Sequence, residues 1–245
     1  MVKTIRVAAA QTVEFVGEVE KASVHAINLV ERSKEAGSSL ICFPEGYLQG
    51  YIASVVHIER FALSIDAPEI QDFLSRLPEN SPTVVLGFIE ALGGGFSNCA
   101  AIIQNRQITG CYRKTHLLAR ENMFMAGEAY PVFEADGLRF GVNICYDANF
   151  PEAAQSIRDQ GAKLLVCCAN NMLPRTIAEK WKNRHNSIRG QRCRETGLWL
   201  LSSDVTGCRD ECVAWGPTSL LDPSGRVVQQ LPLDEPGLLL AEVTV

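Results

Sequence analysis

The sequence predicts a layered, sheet-rich α/β fold in a single domain spanning residues 1–245. Three observations predict it. Short apolar runs alternate with amphipathic stretches of helix length. Two of these alternations share the form strand, helix, strand, and each ends in a polar residue, Glu45 in one and Asn170 in the other. Between them lie glycine-punctuated runs that read as antiparallel hairpins. Strand–helix alternation with inserted hairpins implies helices packed in layers on sheet. Gly93-Gly94-Gly95 reads as a tight turn within it, and no linker divides the chain.

Taken in order, Ile5–Gln11 is an apolar strand, and Glu18–Ala36 carries apolar residues at helical spacing up to Gly37, a fitting C-cap. Ser39–Phe43 is a second strand, ended by Pro44-Glu45. Gly46–Asp66 is less periodic; its aromatic residues Tyr47, Tyr51 and Phe61 suit a pocket wall, with Tyr51 a candidate substrate contact. Pro68–Leu77 reads as a helix, and Thr83–Glu90, Asn98–Gln104 and Gln107–Tyr112 as strands. Leu138–Ile144 alternates at period two, which is strand spacing. Asn149 as N-cap, Pro151 at the first helical position and Glu152 in the first turn then start a helix running to Gln160. Lys163–Ala169 is an apolar strand ending in Asn170-Asn171, and Arg175–Thr196 reads as one long helix. Leu198–Val205, a hairpin of Trp215–Leu221 with Arg226–Gln230, and Leu238–Val243 complete the chain.

Composition narrows the function. With 47% hydrophobic residues in 245, a large core is available, and a net charge of −5 disfavours nucleic acid or an anionic membrane as partner. No run of about 18 uninterrupted apolar residues predicts a membrane span. The first residues lack the apolar core of a signal peptide. Nine cysteines without regular spacing suit reduced thiols and a cytoplasmic location better than a disulfide framework.

Three stretches carry residues suited to chemistry. Cys145 sits where a strand ends, a few residues before a helix starts. Such a sharp turn can lift a thiol out of the sheet beside backbone N–H groups. From this stretch alone, a buried structural cysteine fits as well. Glu45 also lies just past a core strand. Lys114, in Tyr112-Arg113-Lys114-Thr115-His116-Leu117, follows a hairpin strand; by itself it reads as a surface charge.

Together, Phe43-Pro44-Glu45, the Tyr112–Leu117 stretch and Cys145-Tyr146-Asp147-Ala148-Asn149-Phe150-Pro151-Glu152 resemble the nitrilase superfamily of carbon–nitrogen hydrolases. The opening Arg6–Gln11 and the late Gly216–Gly225 segments are similar too, so the resemblance spans nearly the whole chain. It implies a four-layer αββα sandwich that forms a homodimer or higher even oligomer through its outer helices, with no metal or organic cofactor. It implies Glu45 as general base, Lys114 as oxyanion stabiliser and Cys145 as nucleophile, with Glu121 a further acid positioning substrate and lysine. The stretch after Glu121 departs from the usual pattern, being one residue shorter and lacking a proline before Gly127. The backbone N–H of Tyr146 is the expected second oxyanion donor, and Asn170 is either a substrate contact or the cap of the following turn.

The chemistry suits these residue types, because a thiolate forms an acyl-enzyme that water then cleaves. Reference pKa values of about 8.5 for Cys and 4.3 for Glu leave a gap that burial of Glu45 and the Lys114 cation would narrow. Tyr146-Asp147 resembles the amidase branches, where nitrile-cleaving relatives carry Trp-Glu. The expected substrate is therefore a small amide, with carbamoyl hydrolysis or nitrile cleavage as alternatives and a silent dimeric scaffold as the non-enzymatic one. A Cys145–His116 dyad is the enzymatic rival, His57 and His185 read as structural, and Cys208 with Cys212 is too sparse for a zinc site.

Overall fold

The computed structural model describes residues 3–245. The first strand, β1 (Thr4–Thr12), is followed by α1 (Val19–Glu35), β2 (Leu40–Cys42), α2 (Val55–Phe61) and α3 (Pro68–Arg76). The hairpin strands β3 (Thr83–Leu92), β4 (Gly95–Gln104) and β5 (Gln107–Arg113) come next. After β6 (Val132–Ala135), β7 (Leu138–Ile144) leads through a 3₁₀ turn at Cys145–Asn149 into α4 (Pro151–Asp159) and β8 (Leu164–Cys168). Two-residue β9 (Leu173–Pro174), α5 (Arg175–Trp181), α6 (His185–Thr196) and β10 (Trp199–Arg209) follow. The chain closes with β11 (Cys212–Trp215), β12 (Ser219–Leu221), β13 (Val227–Gln230) and β14 (Gly237–Thr244).

The main strand order is β5-β4-β3-β2-β1-β10-β8-β7-β6, a sheet wrapped nearly into a barrel. It folds over where β1 meets β10 in parallel through Gln11–Asp204 and Thr12–Val205, so two sheets face each other. Period-two alternation assigns each side chain to a layer. Ile5, Val7 and Ala9 of β1 join Phe140, Val142 and Ile144 of β7 in the core between the sheets. Ala8 and Ala10 point the other way, with Ile41 and Phe43, onto α1 and α3. On the second sheet Leu165 and Cys167 face outward onto Ile157 of α4 and Cys193 of α6. Helix, sheet, sheet, helix is the αββα sandwich. The two strand–helix–strand units form parallel pairs, β1 with β2 and β7 with β8.

Three local expectations need correction. Asn149 does not cap α4: it ends the preceding 3₁₀ turn, its Nδ2 donating to Tyr146 O, and Phe150 holds the cap position with Pro151 at the first turn. The Arg175–Thr196 stretch is two helices, because α5 packs on β11 while α6 packs on α4 and β10. The Trp215–Leu221 run is interrupted at Gly216-Pro217, a cis peptide bond, and only Ser219–Leu221 pairs with the following strand.

Candidate active site

The site lies at the seam between the two sheets, and strand ends deliver its side chains. Pro44-Glu45 crosses close over β3 because residue 87 is glycine; a Cβ there would collide with the Pro44 carbonyl. Glu45 is then clipped to the opposite sheet: its N–H donates to Ala169 O at 3.2 Å, and its Oε2 accepts from Asn170 N at 3.1 Å. Asn98 Nδ2 of β4 donates to Oε1 at 2.7 Å. Lys114 follows β5, and Gly127 folds the next loop back to donate its N–H to Lys114 O at 2.8 Å. The lysine is fully buried, and its Nζ donates at 2.7 Å to Glu45 Oε1 and at 2.7 Å to Glu121 Oε1.

Glu121 ends a short turn that it caps itself, accepting from Leu118 N through Oε2 at 2.6 Å. The shortened stretch behind it does not keep it from the lysine. Tyr51 donates its hydroxyl to Glu121, with its ring 5.9 Å from Lys114 Nζ. Thus Tyr51 meets the charged cluster. The wider expectation of a Gly46–Asp66 wall fails: no residue of that segment lines the cavity above Cys145.

Cys145 opens the 3₁₀ turn after β7 with φ +47°, a left-handed conformation that a non-glycine residue adopts at cost. Asp147 pins this turn. Its Oδ2 accepts from Ile144 N at 2.9 Å and Tyr112 OH at 2.7 Å, and its Oδ1 from His116 N at 2.9 Å and Thr115 Oγ1 at 3.1 Å. His116 is committed elsewhere than the thiol: Nδ1 lies 3.2 Å from Asp147, Nε2 3.3 Å from Glu152, and the ring stacks on Phe150 at 3.7 Å. That geometry removes the Cys145–His116 dyad. On the other side, Cys145 Sγ faces Asn171 Oδ1 at 3.9 Å. Asn171 Nδ2 donates to Asp204 Oδ2 at 2.5 Å, and Asp204 is paired with Arg189 at 3.2 Å.

Burial and charge set the proton affinities. Burial pushes Glu45 above the carboxylate range; Lys114 opposes that, and the nearby Glu121 charge adds to it. Burial pulls against the Lys114 ammonium, yet Glu45, Cys145 and Glu121 together hold it above the ordinary lysine value. Cys145 is raised well above a free thiol, by burial first and by Glu45 second, with Lys114 pulling it down only in part. The expectation that Lys114 would lower the thiol overall is therefore not met: burial raises Cys145 as it raises Glu45, and the thiol's rise works against closing the gap between them. The resting thiol is neutral. Asp204, buried beside Arg189, sits at about 6.

Above Cys145 opens a cavity of about 250 Å³. Tyr146 and Asn170 line it, and Asn170 also caps the following turn, its Oδ1 accepting from Met172 N at 3.2 Å. Trp181, His185 and Ile188 form part of the cavity wall. Sequence reasoning gave no role to Asp147, Asn171, Arg189 or Asp204. Asp147 alone left a local signal, its place two residues after the cysteine.

A sequence model of carbon–nitrogen hydrolases matches residues 6–245. The chain belongs to the carbon–nitrogen hydrolase family. An (R)-stereoselective amidase from Pseudomonas sp is 28% identical over 200 residues, 81% of this chain and 70% of that protein. An amidase from Nesterenkonia sp. superposes with a TM-score of 0.81 at 22% identity, covering 98% of this carbon–nitrogen hydrolase and 90% of that chain. A glutamine-dependent NAD+ synthetase from Acinetobacter baumannii gives a TM-score of 0.86 at 21% identity; this chain matches over 98% of its own length but spans only 45% of the synthetase. The expected nitrilase-superfamily fold is thereby shown, and the protein is an amidase- or nitrilase-type hydrolase of carbon–nitrogen bonds.

Proposed function

We propose that this protein hydrolyses a small linear amide to a carboxylate and ammonia through an acyl-enzyme on Cys145. The observation that carries the reading is Lys114 Nζ, fully buried and held at 2.7 Å from both Glu45 and Glu121 beside a strained cysteine that opens onto a cavity. Sγ attacks the amide carbon while its proton passes to Glu45, whose raised affinity suits it to take and return a proton. The carbonyl π electrons move to oxygen, where Lys114 Nζ and the Tyr146 N–H stabilise the charge. That N–H lies in the first turn of a 3₁₀ segment, where amides lack an acceptor within the turn. As the carbon–oxygen double bond re-forms, the C–N bond breaks, Glu45 protonates the leaving nitrogen, and ammonia departs. Glu45 then removes a proton from water, which attacks the thioester carbon. The sulfur leaves, regains a proton, and the acid is released. Glu121 and Tyr51 fix the lysine, and Asn170 holds Glu45 from the opposite sheet.

A screen of small amides, carbamoyl amino acids and nitriles for released ammonia tests the reading. Amides are expected to be cleaved best. Preference for a carbamoyl compound or a nitrile would replace amide with that class. No turnover of any of them, with Cys145 unlabelled by a haloacetamide, would favour the silent scaffold.

The proposal extends to setting. All nine cysteines are free, which suits a reducing cytoplasm, and no helix of the described residues is long and apolar enough to cross a membrane. The outer layer formed by α4 and α6 is the proposed dimer face; sedimentation showing only monomer at micromolar concentration would refute it.

A further inference from the structure

The wall of the cavity has a composition that selects among amides. Ile177, Trp181, His185 and Ile188 follow one another at helical spacing across the break between α5 and α6, and all four face the space above Cys145. Leu173 of β9 and Leu118 beside the lysine loop extend this apolar surface. At about 250 Å³ the space lies below the usual range for drug-sized ligands, so it takes a compact molecule.

Charge sharpens the selection. Arg189 reaches the cavity, but its guanidinium is committed to Pro217 O at 2.8 Å, Ser202 Oγ at 3.1 Å and Asp204 Oδ2 at 3.2 Å. Burial and the Arg189 charge push His185 down to about 3, so it presents a neutral imidazole at working pH. Lys114 is held between two carboxylates and leaves no positive charge over. Among the described residues, Arg120 is the one cation on the cavity lining without an ion-pair partner, and it is exposed to solvent. An anionic acyl tail would therefore meet apolar walls and a neutral ring, with the solvent-exposed Arg120 the one unpaired cation among the described residues of the lining.

On the amidase reading above, we infer that the α5–α6 wall makes the enzyme select primary amides whose acyl group is uncharged and apolar, branched or aromatic, against amides that carry a second carboxylate. Trp181 and Ile177 are the specificity-determining side chains, and His185 accepts or donates one hydrogen bond to a neutral polar atom of the substrate.

The test compares kcat/KM for isobutyramide and phenylacetamide with that for succinamic acid, with acetamide as the common reference. The apolar amides are expected to exceed succinamate by at least about tenfold. Trp181→Ala should shrink that ratio about tenfold, mainly through KM for the apolar amides, and Trp181→Phe should restore most of it. Succinamate as the better substrate, with Arg120→Ala abolishing its advantage, would overturn the selection while leaving the amidase reading in place. Ratios unmoved by both Trp181 variants would overturn the assignment of the wall. Failure to turn over even acetamide would sink the amidase reading itself, and the selection with it.

Discussion

The charged cluster and the cavity wall are neighbours built on opposite plans. Glu45, Lys114 and Glu121 are buried almost completely, and each is held by at least two partners from different segments. The wall is half open: Trp181, His185 and Ile188 are partly exposed, and Ile177 is 43% exposed. A buried ion network tolerates no loss, because a removed partner leaves an unpaired charge in a low-dielectric interior. An apolar wall loses only contact area when trimmed. The cluster should thus govern the rate of the chemical step, and the wall the choice of substrate.

That contrast breaks first at the thiol. Cys145→Ala should abolish ammonia release with the fold intact, and Cys145→Ser should be nearly as inactive; appreciable turnover by the alanine variant would end the proposal. Labelling experiments must be read peptide by peptide, since Cys208 is exposed and Cys111 is only half buried.

Within the cluster, Glu45→Gln should lower kcat by roughly 10²–10⁴-fold. Lys114→Met should cost at least about 10²-fold, and the double variant should fall well short of the product of the two losses. The pH profile separates the roles. Activity falls on the acid side as Glu45 gains its proton, above the usual carboxylate range. Lys114 lowers that affinity, so Lys114→Met should move the acid limb to higher pH. An unmoved limb would mean that Glu45 is not the titrating base.

Behind the wall, Asp204→Ala strands the buried Arg189 guanidinium and should cost about 3–5 kcal/mol in urea unfolding. The smallest effect belongs to His116. Its hydrogen bond to Asp147 outweighs partial burial and raises its proton affinity in the folded state. The stability it contributes is full below its ordinary value of 6.5 and is lost as pH rises through the raised folded value. His116→Gln should therefore lower the melting temperature slightly at pH 5.5 and hardly at all at pH 8.5.

The same two regions differ in how far the sequence discloses them. Glu45, Lys114 and Cys145 each lie just past a strand that is legible in the chain, but position alone left Lys114 a surface charge and Cys145 equally a structural thiol; it was the resemblance of their three stretches to the nitrilase superfamily that assigned their roles. Asn171, Asp204 and Arg189 gave no such signal, because their contacts join residues 15 to 33 positions apart and exist only once β8 and α6 pack against β10. The wall was misread for a related reason. Lys182-Asn183-Arg184 contains neither glycine nor proline, and the apolar stripe runs through it unbroken. The helix divides because its halves rest on different supports, Ala178 and its neighbours by β11 and Cys193 in the core beneath α6.

Asp147 carries a consequence for how this enzyme wears out. It hangs from the turn after β7 in one sheet and accepts from Tyr112, Thr115 and His116 at the end of β5 in the other. Glu45, with its paired bonds to Ala169 and Asn170, spans the same gap in the opposite sense. The proposed base and the proposed nucleophile therefore belong to different slabs of the molecule, riveted at two points. Mild heat or denaturant that lets the slabs slide by a fraction of a residue would part them while both sheets and their helices persist. Catalytic death should precede the loss of secondary structure, and reversibly so, leaving activity a finer gauge of how the slabs are seated than any spectrum of the backbone.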